Sequence, residues 1–292
     1  MHSFTIKDLE NLSGIKAHTI RIWEQRYSFL KPSRTDTNIR FYSNEELKMI
    51  LNVALLNKYG FKISHIDKMN ESEIKEKILS LNQTEAQQER IVNSLIQHMV
   101  DLDMKSFEGL LDGFISSRGI EKTITQIIFP YLDKIGILWL TNHINPAQEH
   151  LVSNIIRQKL IVGIQYTDSL VNIDKSVLLF LPEGEYHELG LLFMNYLLKS
   201  KGVSTIYLGC SISISDVEYI VKLKKPDYLY THLTACSNKF NLEKFVTAMS
   251  KKFTGTPIVI SGKLTQAYSK RYNQNIHLKK SFTEVMDFVS GL

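Results

Sequence analysis

"SVLLFLPEGEYHELGLLFMNYLLKSKG", residues 176–202, changes its pattern halfway along. An unbroken apolar run of strand length, "SVLLFL", passes through "PEGEY" into the helical stretch "HELGLLFMNYLLKSKG". A run of that kind bounded by turn residues reads as a strand buried on both faces, the kind that parallel sheets use. The same alternation recurs four times downstream, as "VSTIYLG" with "ISDVEYIVKLKK", "DYLYTHL" with "NLEKFVTAMSKKF", "PIVISG" with a helix near 264–271, and "NIHLKK" with "FTEVMDFVSG". Five such units predict a doubly wound parallel sheet, flavodoxin-like in build, over residues 173–292.

In sheets of this class ligands sit beyond the carboxyl ends of the strands, where the strand order reverses. His187 follows the first strand, with Glu185 two residues before it and Gly190 three after. Thr231, His232 and Leu233 close the third strand, and Ser261 and Gly262 the fourth, so three segments converge on one edge. A carboxylate two residues away can hold one ring nitrogen of His187 and decide which nitrogen faces outward. Gly190 lets a bulky planar ligand approach the helix. From the residues alone, the imidazole reads as a metal ligand, an acid/base group or a helix N-terminal residue.

Working outward, residues 75–172 are helical in pattern. "QERIVNSLIQHMVDLD", "SFEGLLDGFISSRG", "EKTITQIIFPYLDKIGILWL" and "PAQEHLVSNIIRQKLIVGIQ" each repeat apolar residues at three and four, which predicts a four-helix bundle with Pro130 bending the third helix. Trp139 is followed after nine residues by Glu149 and His150, with Asn145 and Pro146 opening the last helix between them.

Residues 1–74 form a third region. "TIKDLENLSG" spaces Ile6, Leu9 and Leu12 as a helix and stops at Ser13 and Gly14; "KAHTIRIWEQRY" restarts the helical period with Ile20, Trp23 and Tyr27. Helix, short turn, helix is the unit whose second helix can lie in a major groove. "LKPSRTDTNIRFYS" then reads as a small hairpin or wing carrying Arg34 and Arg40. Ser43 with Glu46 is a capping box that launches a further helix ended by Gly60.

The charge distribution agrees with this division. Residues 1–70 hold 11 Lys and Arg against 7 Asp and Glu, so nearly all of the chain's net +5 lies there. A basic module on a nearly neutral body is the footprint of a polyanion binder. The N-terminus lacks the layout of a secretory signal and no apolar stretch approaches bilayer length, so a cytoplasmic protein without a membrane role is expected. Cys210 and Cys236 show no disulfide or zinc spacing and read as small buried residues. No nucleophile triad, P-loop or paired carboxylates suggest chemistry of the chain's own, and no enzyme is expected.

Residues 3 to about 70 resemble the MerR-type winged helix-turn-helix, in the branch reading "TIRxWExRY...LxPxRT...xRxYS". Thr19, Arg21, Trp23, Glu24, Arg26, Tyr27, Pro32, Arg34, Thr35, Arg40, Tyr42 and Ser43 match, while Ser28 and Asn38 replace two glycines. The resemblance implies binding to a double-stranded DNA operator by an oligomer, a homodimer or homotetramer. Thr19, Arg21 and Tyr27 would lie on or beside the recognition helix, and Arg34, Arg40 and Tyr42 would grip the backbone from the wing.

Glu185, His187 and Gly190 match "E/DxHxxG", the signature of cobalamin-binding domains, which residues 175–292 resemble. With the bundle and its Trp139, Glu149 and His150, the whole is similar to the light-sensing, adenosylcobalamin-dependent MerR-type repressors. That resemblance implies His187 as the lower ligand of cobalt, Glu185 as its orienter, Trp139, Glu149 and His150 as the upper cover, and Thr231, Leu233, Ser261 and Gly262 along the nucleotide tail. The later family segments usually read "SxL" and "GG", and in light-sensing members a histidine follows the bundle tryptophan where this chain has Leu140, with His143 nearby. The expected function is a transcriptional regulator, a repressor, whose operator binding is modulated by adenosylcobalamin. Two alternatives stand beside it: a regulator of the same build that uses no cofactor and answers to a protein partner such as an antirepressor, and a corrinoid carrier for a methyltransferase.

Overall fold

The computed structural model describes residues 4–140, 144–167, 169, 171–235, 240–270 and 272–292, without the side chains of residues 137, 139 and 140. The chain packs as two compact units, Met1–Ile155 and Ile156–Leu292.

The first unit begins with α1 (Ile6–Ser13) and α2 (Ala17–Arg26). Thr5 and Asp8 form a reciprocal capping box that starts α1, and Gly14 ends it at a φ of 75°. Burial of Leu9, Leu12, Ile20 and Trp23 holds the two helices together, as their spacing requires. The wing is a hairpin of β1 (Ser33–Arg34) and β2 (Arg40–Phe41), paired antiparallel with Arg34 opposite Arg40. Asn38 turns it at a φ of 65°, the left-handed geometry that asparagine tolerates best after glycine. Ser28 solves its own substitution differently: its amide and hydroxyl both donate to Asp67, at 2.7 and 3.0 Å, and its φ stays negative.

Ser43 and Glu46 cap α3 (Asn44–Lys58) as expected. Then come α4 (Ile63–Ile66) and α5 (Glu71–Leu79), which the sequence pattern did not single out. The helical region comprises α6 (Thr84–Val100), α7 (Met104–Arg118), α8 (Ile120–Thr123), α9 (Phe129–Leu140) and α10 (Pro146–Gln165). Between α8 and α9, residues Ile124–Ile128 form a π-helical turn. Pro130 has no amide hydrogen, and the Phe129 amide just before it reaches back five residues to Ile124 O, so a widened turn takes the place of a plain bend. Leu95, Ile96, Met99, Phe107, Leu111, Ile127, Tyr131, Leu138 and Val152 form the buried interior of this region.

The second unit carries a five-stranded, wholly parallel sheet in the order β4-β3-β5-β6-β7. The strands are β3 (Ile173–Pro182), β4 (Val203–Ile212), β5 (Tyr228–His232), β6 (Ile258–Ser261) and β7 (Ile276–Leu278). Five helices follow them in turn: α11 (Leu189–Ser200), α12 (Ile214–Lys224), α13 (Leu242–Lys252), α14 (Lys263–Gln266) and α15 (Phe282–Ser290). The sheet is the one that the alternating pattern predicts. Val177 to Leu181 are all fully buried, which is why no alternation shows in that stretch. The order reverses between β3 and β5, so the place where sheets of this class bind ligands lies outside the carboxyl ends of those two strands. Cys210 is half-buried, contrary to the expectation of a core residue, and Cys236 lies outside the described residues. Among the described residues, no helix is long and apolar enough to cross a membrane.

Candidate DNA-binding and cofactor sites

In α2 the inward residues Ile20 and Trp23 leave His18, Arg21, Ile22 and Gln25 exposed at spacings of three and four, one continuous face. Arg21 lies in the middle of it; Thr19, beside it, is half-buried with its hydroxyl 3.3 Å from His18 Nε2. His18 and Gln25 carry no sequence signal of their own, and only the helix phase brings them alongside Arg21. Tyr27 is half-buried and stacks on Phe29, ring centroids 5.9 Å apart.

The wing differs from expectation in two respects. Glu24 of α2 accepts from Arg34 Nη2 at 3.3 Å and from Arg40 Nε at 2.8 Å, so both arginines fasten the wing to α2. Arg34 keeps 39% of its side chain exposed and Arg40 only 22%, which makes Arg34 the wing cation that projects. Tyr42 corrects the sequence expectation outright. Its ring is fully buried, its backbone pairs with Phe4, and its hydroxyl has no hydrogen-bond partner among the described residues. Burial, helped by nearby Glu24, pushes that hydroxyl up to about 12. Tyr42 is a core residue because it follows β2 on the inward side of the pleat.

In the helical region, Glu149 and His150 are neighbours on α10, with His150 Nδ1 3.3 Å from Glu149 Oε2 and the imidazole largely exposed. Trp139 is the penultimate residue of α9, but its side chain, like that of Leu140, lies outside the described residues, and so does all of His143.

At the rim of the sheet the sequence-derived residues do come together. The loop after β3 folds Glu185 inward, fully buried, and turns His187 outward with 36% of its side chain exposed. Glu185 Oε1 lies 2.6 Å from His187 Nδ1 and accepts from the His187 amide at 2.9 Å. Its other oxygen accepts from the amides of Thr234 and Ala235 at 2.9 and 3.0 Å. Burial alone would raise this carboxyl, but the hydrogen bonds from His187, Thr234 and Ala235 outweigh it and hold it at about 2. In the neutral imidazole the proton therefore sits on Nδ1, and the lone pair on Nε2. The loop itself is tied to β4, where Ser211 donates its amide to Glu185 O at 3.2 Å.

Gly190, in the first turn of α11, has a different neighbour from the one anticipated. A Cβ built there would stand 2.5 Å from Nε2 of His232, so the planar group that needs the missing side chain is the chain's own imidazole. His232 Nδ1 is 2.9 Å from Ser261 Oγ, which is also 2.5 Å from the Tyr230 hydroxyl. Gly262, at a φ of 99°, passes so close to β5 that a Cβ would lie 2.7 Å from Leu233 N. Leu233 belongs to the apolar core beneath the sheet. Thr231 is fully buried, and its hydroxyl has no hydrogen-bond partner among the described residues.

One further contact escaped the sequence reading. Glu188, beside His187, accepts from Arg157 Nε and from the Tyr207 hydroxyl, each at 2.8 Å. These partners lie 31 and 19 residues away, and no local pattern announces such a pairing.

A basic reading head and a rim built around one oriented imidazole define a class, that of ligand-responsive DNA-binding proteins, and comparison with known proteins makes it specific. Residues 4–73 match the family model "MerR HTH family regulatory protein", and residues 91–162, within the helical region, match "B12 binding domain". The chain thus joins a MerR helix-turn-helix to a B12-binding domain, and it is homologous to the HTH-type transcriptional repressors CarH and CarA of Myxococcus xanthus. It is 25% identical to CarH over 274 residues, covering 91% of each chain. It is 29% identical to CarA over 226 residues, 76% of this chain and 73% of that one. A monomethylamine corrinoid protein of Methanosarcina barkeri shares the fold, with a TM-score of 0.50 at 12% identity over 70% of this chain and 99% of that one.

Proposed function

We propose that this chain is a transcriptional repressor whose hold on a DNA operator is modulated by cobalamin, adenosylcobalamin being the form it takes. It is built as a winged helix-turn-helix (1–74), a helical cap (75–172) and an α/β domain (173–292). The observation that carries the cofactor half is the His187–Glu185 pair: a buried carboxylate that holds one ring nitrogen prepares the other for a metal, as in protein metal sites generally. The residues present fit the cobalt end of the group. An oriented imidazole is the required donor.

When bound, cobalamin would supply a cobalt centre able to exchange ligands, which His187 would hold. The chain's own part is to hold His187 in one tautomer through Glu185 and to brace the neighbouring loop through Glu188 with Arg157 and Tyr207. On the DNA side, Arg21 and Arg34 supply the phosphate contacts that make affinity fall steeply with salt. Each half-site takes one reading head, so a change in the number of linked protomers changes occupancy. We assign the oligomer as a dimer or tetramer, with light or a protein antirepressor as the releasing signal.

Mobility-shift titrations of the full chain against its operator, without cofactor and with adenosylcobalamin in the dark and after illumination, test this. Operator affinity that rises with cofactor in the dark supports the reading; identical shifts in every condition overturn it. One observation favours the cofactor-independent alternative, namely the His232 ring lying against Gly190.

A further inference from the structure

The pleat of β5 sends Tyr228, Tyr230 and His232 to one face of the sheet and Leu229, Thr231 and Leu233 to the other. On the first face Tyr230 stacks on Phe288 of α15, and the His232 ring lies over Gly190 in the first turn of α11. The ring is anchored there. Ser261 Oγ meets its Nδ1 at 2.9 Å and is itself held by the Tyr230 hydroxyl, so strand ends β5 and β6 share one hydrogen-bonded chain. Burial holds the imidazole down at about 4, hence neutral at ordinary pH, which suits a ring packed against backbone.

Gly190 is three residues beyond His187, at the start of the helix that follows its loop. Cobalamin carries its nucleotide tail on the lower face of the corrin, the same face that His187 would ligate. A tail that ran from beside His187 toward the start of α11 would need the space where Gly190 contributes no side chain. That space holds the His232 ring, and ring and tail cannot both have it.

We propose that His232 is a specificity-determining residue, a stopper in the groove beside His187 that tail-bearing corrinoids must displace and that a corrinoid without a nucleotide tail leaves in place. This rests on the cobalamin reading above and adds a selectivity to it. Displacement breaks the bond to Ser261 and re-exposes a packed ring. The expected penalty on a tail-bearing ligand is on the order of tenfold in affinity.

The test is absorbance titration of the full chain with aquocobinamide, which lacks the tail, and with hydroxocobalamin, using the wild type, His232→Ala and His187→Ala. The wild type should take cobinamide about tenfold more tightly than cobalamin. H232A should bring cobalamin up to match it with cobinamide unchanged, and H187A should abolish the imidazole-ligated spectrum with either corrinoid. If H232A leaves the ratio of the two affinities where it was, or strengthens both ligands alike, the stopper is refuted while the cobalamin reading stands. If neither corrinoid binds to the wild type or to H232A, the cobalamin reading falls and this inference with it. Should H232A fail to fold, Ser261→Ala frees the ring without removing it and must shift the same ratio in the same direction; an unshifted ratio refutes the stopper equally.

Discussion

Replacing Glu185 by glutamine keeps the shape of the side chain but removes the charge on which four hydrogen bonds converge, those from the His187 ring and amide and from the Thr234 and Ala235 amides. The carboxyl stands at about 2 in the folded chain against an ordinary 4.5. At neutral pH that depression corresponds to roughly 3 kcal/mol of folding stability. Because the folded value is the lower one, the unfolded chain binds the proton more readily. The stabilisation is therefore complete above the unfolded value and is lost as pH falls from 4.5 toward 2. Urea unfolding of the wild type and E185Q, followed by a probe in the α/β unit, should differ by about 3 kcal/mol at pH 7 and by about half of that or less near pH 3. A difference below about 1 kcal/mol at neutral pH, or one that does not narrow in acid, would refute the claim that the carboxylate is held ionised by its ring and amide partners.

Tyr42→Phe removes a buried hydroxyl that has no partner among the described residues, so thermal melting should show no loss of stability and a gain of up to about 1 kcal/mol, with operator affinity unchanged. Arg21→Ala should leave the melting temperature alone and reduce the slope of log affinity against log salt by about 1. Arg40→Ala breaks the 2.8 Å contact with Glu24, so it should loosen the wing as well, seen as faster amide exchange across β1 and β2 than in the Arg21 variant. Asn38→Ala puts an ordinary side chain at a φ of 65° and should cost roughly 1 kcal/mol in the melt, whereas Asn38→Gly should be nearly neutral.

The parallel sheet, the winged helix-turn-helix, the capping box at Ser43 and the Glu185–His187 pair were all legible in the sequence, because each is written in residues within a few positions of one another. Period and cap are local properties, and a carboxylate two residues from an imidazole needs only one loop to find it. Asn38 belongs with them, since its tolerance of left-handed geometry is intrinsic. What escaped were side-chain destinations set by distant elements. Tyr42 reads as a wing residue until Phe4 pairs beside it and the core closes over its ring. Arg34 and Arg40 read as free cations until α2 offers both the same carboxylate. Gly190 reads as an opening for a ligand until β5, more than 40 residues on, delivers His232 into it.

The sequence by itself settled the helix-turn-helix with its wing, the long helices and the parallel sheet, and brought Glu185 and His187 to its rim, since hydrophobic period and turn chemistry act over short spans. The tertiary structure alone decided what fills the space between those residues. Packing is a matter of volumes brought together from separate strands and helices, and no local pattern records which side chain arrives first.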